Sequence, residues 1–265
     1  MALTYEFLDR RALAALQFVD ATGTAVRTTV TVSADGASFL HKRPGEVVVT
    51  GAPGLAAHAA AFDRPPTQPA IGAVTVQLDC RPVSRGLAPR RFALKLPRTS
   101  AQAQMASADS LFQPVRIELL PTPCATPIGM VAALLVTVRR ADDQRRVEGA
   151  LVRLRPDGGR PQARAVTDAG GDALLLIPGV PLSSPGPNAT VLPDIAGQLD
   201  AIVDPNLAHF TTDDDLAAAR ATPRPGDLID PDDLEARLGA SATPPAALRI
   251  ASGQVRTAAL AWTPP

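Results

Sequence analysis

The chain has 265 residues, 46% of them hydrophobic and 20% charged, so it is long enough for one large or two small domains with a real core and too apolar to be disordered throughout. Lysine plus arginine and aspartate plus glutamate both total 26, and this zero net charge gives no basic excess that would argue for nucleic acid. Aromatic residues at 3% leave little for stacking on bases or sugars, and with only Lys42 and Lys95 as lysines the many arginines read as a compositional bias, not as an anion site.

At the start of the chain, Glu6, Asp9, Arg10 and Arg11 interrupt any apolar stretch, so no signal-peptide core is expected. The longest apolar run, Met130 to Val136 with Thr137 and Val138 beyond it, is about half of the ~20 residues a membrane span needs. The expected location is the cytoplasm, with release inside a larger particle left open, and no membrane insertion.

Period-two alternation then dominates. Val26, Thr28, Val30 and Val32 alternate with Arg27, Thr29 and Thr31. Val74, Val76, Leu78 and Cys80 share one face, as do Phe92, Leu94 and Leu96, and later Val115, Ile117 and Leu119. Each run predicts a half-buried strand of an antiparallel sheet. Turn signals separate them at Asp35-Gly36, Arg43-Pro44-Gly45, Ala52-Pro53-Gly54 and Asp157-Gly158-Gly159. Cys80 is placed in a core and Cys124 in the loop PTPCATP, two unrelated thiols.

The expected organisation is all-β: a first β-sandwich over 1–98, a linker with one bridging strand over 99–130, and a second sandwich over 131–265. Within the linker, 99–113 has no strand pattern and reads as a linker or ordered crossover. A loose internal repeat relates LQFVDATGTAVRTTVTV to LLVTVRRADDQRRVEGALVRL.

Residues 183–245 differ in character. They hold three arginines and eleven acids, a charge of 3 − 11 = −8, which leaves +8 on the remainder. Thr212 before DDDLAAARA, with Asp215 three residues on, predicts a capped helix. Asp230-Pro231-Asp232-Asp233-Leu234-Glu235 predicts another, with Asp at the cap, Pro at the first helical position and acids in the first turn. The segment reads as an acidic, partly helical insertion in the second sandwich. A hairpin turning at Ser252-Gly253 follows. Long insertions in compact domains usually serve a function, so Asp213, Asp214, Asp215, Asp230, Asp232, Asp233 and Glu235 form a candidate docking surface for a basic partner or a second copy. The alternative is that the segment folds back onto the chain's own basic strands.

The segment from Val147 to Leu154, followed by Ala165-Val166-Thr167-Asp168-Ala169-Gly170-Gly171 and a strand ending at Pro178-Gly179, resembles the carboxypeptidase regulatory-like domain, a transthyretin-like (Ig-like) sandwich. Thr167, Asp168 and Gly171 match the turn of that family. An Asp caps a tight turn with its carboxylate, and Gly takes positive φ without steric cost. The resemblance implies a fold more than an activity, since such sandwiches serve as spacers or binding modules. It does not extend to the transthyretin-like hydrolase of the purine pathway: the only histidines are His41, His58 and His209, and the chain ends in Trp262-Thr263-Pro264-Pro265 where that enzyme carries Tyr-Arg-Gly-Ser.

No chemistry-bearing motif competes with this reading. His41-Lys42-Arg43 reads as a solvated hairpin shoulder, and both aspartate clusters read as helix caps because they lack the alternate ligands and central glycine of a calcium loop. Gly-x-Ser-x-Gly, phosphate-binding glycine loops and His/Cys metal spacings do not occur. Trp262 reads as a core plug. No catalytic, cofactor or metal residue is therefore expected. The wider layout, including PGEVVVTGAPGL, RRFALKLPR, SLFQPVRIELLP and the acidic segment before the last strands, resembles accessory structural proteins of phage-tail-like contractile injection systems. That resemblance implies a non-enzymatic adaptor whose partners are other protein subunits or further copies of itself. The competing expectation is a protein- or glycan-binding module unrelated to such particles.

Overall fold

The computed structural model describes residues 11–60, 66–126, 131–157, 162–178, 194–219, 228–251 and 255–264. Among them are sixteen strands and three short α-helices, so the protein is mostly β. Its chain divides into two compact units. The first is Met1–Phe18, Ala25–Arg81 and Phe92–Ile117; the second is Val19–Thr24, Pro82–Arg91 and Glu118–Pro265. Boundaries expected at 98 and 131 are therefore not the ones drawn by the contacts. Alternation reports that a residue is half-buried, not which core it feeds, so segments 19–24 and 82–91 could not be assigned from pattern.

The first unit contains β2 (Val30–Ser33), β3 (Ser38–Arg43), β4 (Glu46–Gly51), the short helix α1 (Ala56–Ala60) and most of β1 (Ala14–Val19), β5 (Val74–Pro82), β6 (Arg90–Leu96) and β7 (Val115–Glu118), whose residues Val19, Pro82, Arg90, Arg91 and Glu118 fall in the second. They form a sheet in the order β3-β4-β1-β7 and a second in the order β2-β5-β6. Val76, Leu78 and Cys80 are buried on one face of β5, as their spacing requires. Of the run from Val26, only Val30–Ser33 is a strand, although Val26 is also buried. At the β3–β4 turn Gly45 has φ +76, and a Cβ there would stand 2.2 Å from the Val26 carbonyl oxygen, so glycine is required. The stretch 99–113 is an ordered crossover. Arg98 donates from Nε and Nη2 to the Ser110 carbonyl at 3.1 and 2.9 Å, and a 3-10 turn spans Gln102–Gln104. The strand expected to bridge two domains is β7, a member of the first sheet.

The second unit contains β8 (Val131–Arg140), β9 (Arg146–Glu148), β10 (Leu151–Pro156), β11 (Ala163–Val166), β12 (Asp172–Pro178), β13 (Asp194–Ile202), β14 (His209–Thr211), α2 (Asp213–Ala219), α3 (Pro231–Leu238), β15 (Ala246–Ala251) and β16 (Val255–Trp262). One sheet is built on β8, which takes β12 antiparallel, β16 parallel, and β9 with β14 beyond it. The other runs β11-β10-β13-β15, antiparallel throughout. Their facing sides share one core: Leu134, Val136 and Val138 of β8, Val152 and Leu154 of β10, Leu175 of β12, Leu199 of β13 and Trp262 of β16. Trp262 is the plug its position predicted, stacked on Phe210 at 5.7 Å between ring centroids.

Two expectations are corrected here. Residues 183–245 are not one insertion, because β13 lies between β10 and β15 and is integral to the second sheet. Gly197 and Gln198 dilute its alternation, and two of the segment's acids, Asp200 and Asp204, are buried. Nor do β15 and β16 form a hairpin. β15 pairs with β13 and β16 with β8, so the two strands belong to different sheets. A strand–turn–strand pattern is the same for a hairpin and for an arch between sheets. Residues 252–254 and the Gly158-Gly159 turn lie outside the described residues.

Candidate functional site

Strand alternation gives the β11-β10-β13 sheet a second, outward face. Val152 and Leu154 point into the core, so Leu151, Arg153 and Arg155 point the other way; on β13, Leu199 and Ala201 point in, and Asp200 and Ile202 out. Helix α3 packs on this outer face. Its cap is the one the sequence announced: the Asp230 carboxylate accepts from the Asp232 and Asp233 amides at 3.1 and 3.4 Å, and Pro231 occupies the first turn. Leu234 is buried among Leu120, Leu151, Ile202 and Ile229, a small apolar cluster separate from the main core.

Beside that cluster the contact becomes ionic. Arg153 meets Asp200 through two parallel bonds, Nε to Oδ1 at 2.8 Å and Nη2 to Oδ2 at 2.9 Å, and gives Nη1 to Glu235 at 3.0 Å. Arg155 also bonds Asp200. Arg164 reaches Glu118 at 2.5 Å, Asp232 at 2.9 Å and Glu235 at 3.1 Å. Arg90, itself 2% exposed, donates to the Glu118 carbonyl at 2.9 Å, to Asp230 at 3.2 Å and to Asp232 at 2.7 Å. Gln162 completes the set with a bond to Glu235 at 3.1 Å.

The electrostatics follow from this geometry. Burial opposes ionisation of Asp232, but Arg90 and Arg164 outweigh it and hold the carboxyl below its usual range. Burial likewise opposes ionisation of Glu235, and Gln162, Arg153 and Arg164 together bring it down. Burial works against the charge on Arg164, yet Glu118 and Asp232 hold its proton more tightly than usual. The fork of Arg153 on Asp200 is bidentate, planar donors against a planar acceptor, both nearly out of water. Chemically, every convergent polar group here serves another, and the product is a helix held in register on a sheet.

Most of the acids expected to form a docking surface meet arginines of the second unit. Asp230, Asp232 and Glu235 turn onto Arg90, Arg153 and Arg164. Asp233 pairs with Arg237 at 2.8 Å along the helix, and Arg237 also reaches Asp204 at 3.0 Å. In α2, Asp213 accepts from Arg146 at 2.5 Å, and Asp215 makes a reciprocal cap with Thr212, whose Oγ1 lies 3.0 Å from the Asp215 amide. Asp214 is exposed. The charge split of −8 against +8 is real, but much of it closes within the second unit. Charges tethered in one chain meet at high effective concentration, and a partner would have to displace them. Sequence reasoning missed Arg90, Glu118, Arg153, Arg164 and Asp200. The one available signal was LVRLRP, where arginines occupy the second face of an otherwise apolar strand.

The predicted Thr167-Asp168-Gly171 turn has the expected geometry. Buried Thr167 donates Oγ1 to the Val147 carbonyl at 2.7 Å and accepts from the Ala150 amide at 2.8 Å. Asp168 accepts from the Gly170 and Asp172 amides at 2.8 and 3.2 Å. Gly171 has φ +69, and a Cβ on it would lie 2.9 Å from the Val138 carbonyl oxygen. His41, Lys42 and Arg43 are exposed on β3 and border a surface depression of about 220 Å³, with Arg43 paired to Glu46 at 2.5 Å. His41, His58 and His209 stand on β3, α1 and β14 respectively. Among the described residues no three His, Cys, Asp or Glu side chains are grouped to hold a metal ion, and no helix is long and apolar enough to cross a membrane.

No family model matches the chain, and no curated protein matches it. Among solved structures, the Bacillus anthracis TIE protein aligns with 95% of this chain and 34% of its own length, at 9% identity and a TM-score of 0.28. The chain spans about a third of that protein's length, and a likeness of that size informs neither fold nor function.

Proposed function

We propose that the protein is a non-enzymatic structural adaptor, built of two transthyretin-like β-sandwiches, that joins protein subunits of a phage-tail-like contractile injection particle. The observation that supports this reading most is the closed network under α3: Arg90, Arg153, Arg155 and Arg164 meet Glu118, Asp200, Asp230, Asp232 and Glu235. In the second unit this gathering of polar groups seats a helix on a sheet, the kind of fixed packing a structural part uses. Two sheets facing one core in that unit, with Thr167, Asp168 and Gly171 forming the family's turn, support the sandwich part of the proposal. The particle itself rests on the likeness of sequence layout. Its test is affinity capture of the tagged chain from its native cell, followed by mass spectrometry. Sheath, tube or baseplate subunits are expected in the eluate; their absence, with the chain recovered in soluble form, would end the particle reading.

A further inference from the structure

Where the chain leaves β6 for the crossover 99–113, a pocket of about 20 Å³ lies against α1. Leu13, Pro97 and Leu111 give it apolar walls, and His58, Arg98 and Ser100 are its polar lining; among the described residues no carboxylate borders it. None of the three polar side chains is fully used. Arg98 donates from Nε and Nη2 to the carbonyls of Ala108, Ser110 and Gln113 and makes no hydrogen bond from Nη1. The Ser100 hydroxyl has no partner. His58 is 6% exposed, and its buried Nδ1 has no partner either. Leaving a buried polar group unpaired costs free energy, and in folded proteins such a group commonly marks the place of a water or an ion.

Charge decides between the two. Arg43, Arg90, Arg153, Arg164 and Arg237 each meet a carboxylate within ion-pair distance, but Arg98 meets none. Burial opposes its charge, and Asp109, acting from farther off, offsets only part of that, so the guanidinium holds its proton less tightly than usual. A cation short of countercharge, an idle hydroxyl and an imidazole that can present an N–H border one small space, and an anion accepts from all three. Volume sets the size of that anion. A water needs about 10–15 Å³, so a pocket of about 20 Å³ admits one monatomic ion and excludes sulfate and phosphate. We infer that the pocket is a halide site, in which chloride is held by Arg98, Ser100 and His58 and ties α1 to the start of the crossover. This inference does not depend on the adaptor reading.

Chlorine NMR of the full chain tests it, in sodium gluconate buffer with chloride added, because a bound halide exchanging with solvent broadens the free signal. The parent broadens the signal saturably; bromide reverses the broadening, and sulfate at equal ionic strength does not. Ser100→Ala removes one donor to the anion and raises the chloride dissociation constant by about tenfold. Ala12→Leu fills the pocket from a half-buried position on its wall and abolishes the broadening. Melting curves confirm that both variants fold. A parent without saturable broadening, as a pocket that takes water alone would give, displacement by sulfate as readily as by bromide, or broadening unchanged in both variants would each overturn the inference.

Discussion

At the scale of single residues, the turn before β12 and the fork on β10 make contrasting demands. Asp168 holds two amides, and replacing it with alanine should lower stability by about 1 kcal/mol, the usual value of a lost cap. Gly171→Val should cost more, about 2 kcal/mol, because its positive φ and the Val138 carbonyl both reject a branched Cβ. Equilibrium urea unfolding checks both, and equal midpoints for parent and variants would contradict the assigned turn. The arginine fork gives a sharper contrast. Asp200→Ala leaves Arg153 charged and nearly buried with only Glu235, so a loss of about 3 kcal/mol is expected. Arg155→Ala removes a half-exposed partner of the same aspartate and should cost about 0.5 kcal/mol. Similar losses in the two variants would mean that the bidentate geometry contributes nothing special.

At the scale of elements, helix α3 and the turn at Asp168 should respond oppositely to acid. Asp232 and Glu235 have folded pKa values held below their ordinary ones. Their contribution is complete above the ordinary carboxylate range and is lost as pH falls through it toward the folded values. Burial, aided by Asp172, instead pushes the Asp168 carboxyl up, so its ionisation detracts from stability as pH rises from the ordinary value to the folded one. Hydrogen exchange should therefore show α3 amides losing protection as pH falls through and below the ordinary carboxylate range, ahead of the β8 and β12 amides. Loss of all three together would place the acid-sensitive step elsewhere. Both α2 and α3 were legible in advance because caps are local: Thr212 with Asp215 and Asp230 with Pro231 lie within a few residues of each other. By contrast, β13 was hidden by its own polar residues, and α1, only five residues long, carries no capping signal.

At the scale of the whole molecule, what the sequence concealed was pairing across long separations. Strand alternation placed Leu78, Cys80, Leu94, Ile117 and Trp262 in cores correctly. Nothing local says that Arg90 will meet Asp232, 142 residues away, or that β16 will lie parallel to β8. The same long separations decide how the protein can be divided. The second unit takes in Pro82–Arg91 and starts again at Glu118, so a fragment cut at 131, where the pattern placed the second domain, discards part of what holds α3. It lacks Arg90 with its bonds to Asp230 and Asp232, the Arg91 amide that donates to the Ile229 carbonyl at 2.8 Å, the Glu118 partner of Arg164, and Leu120 against Leu234. A fragment of 118–265 regains Glu118 and Leu120 but not Arg90. Protection of α3 amides should thus rise in steps from 131–265 through 118–265 to the full chain, while amides in the β8–β12 pairing, whose partners all lie within 131–178, stay protected throughout. Hydrogen exchange on the three proteins reads this directly, and equal α3 protection in all of them would show that the helix is held by its own sheet alone.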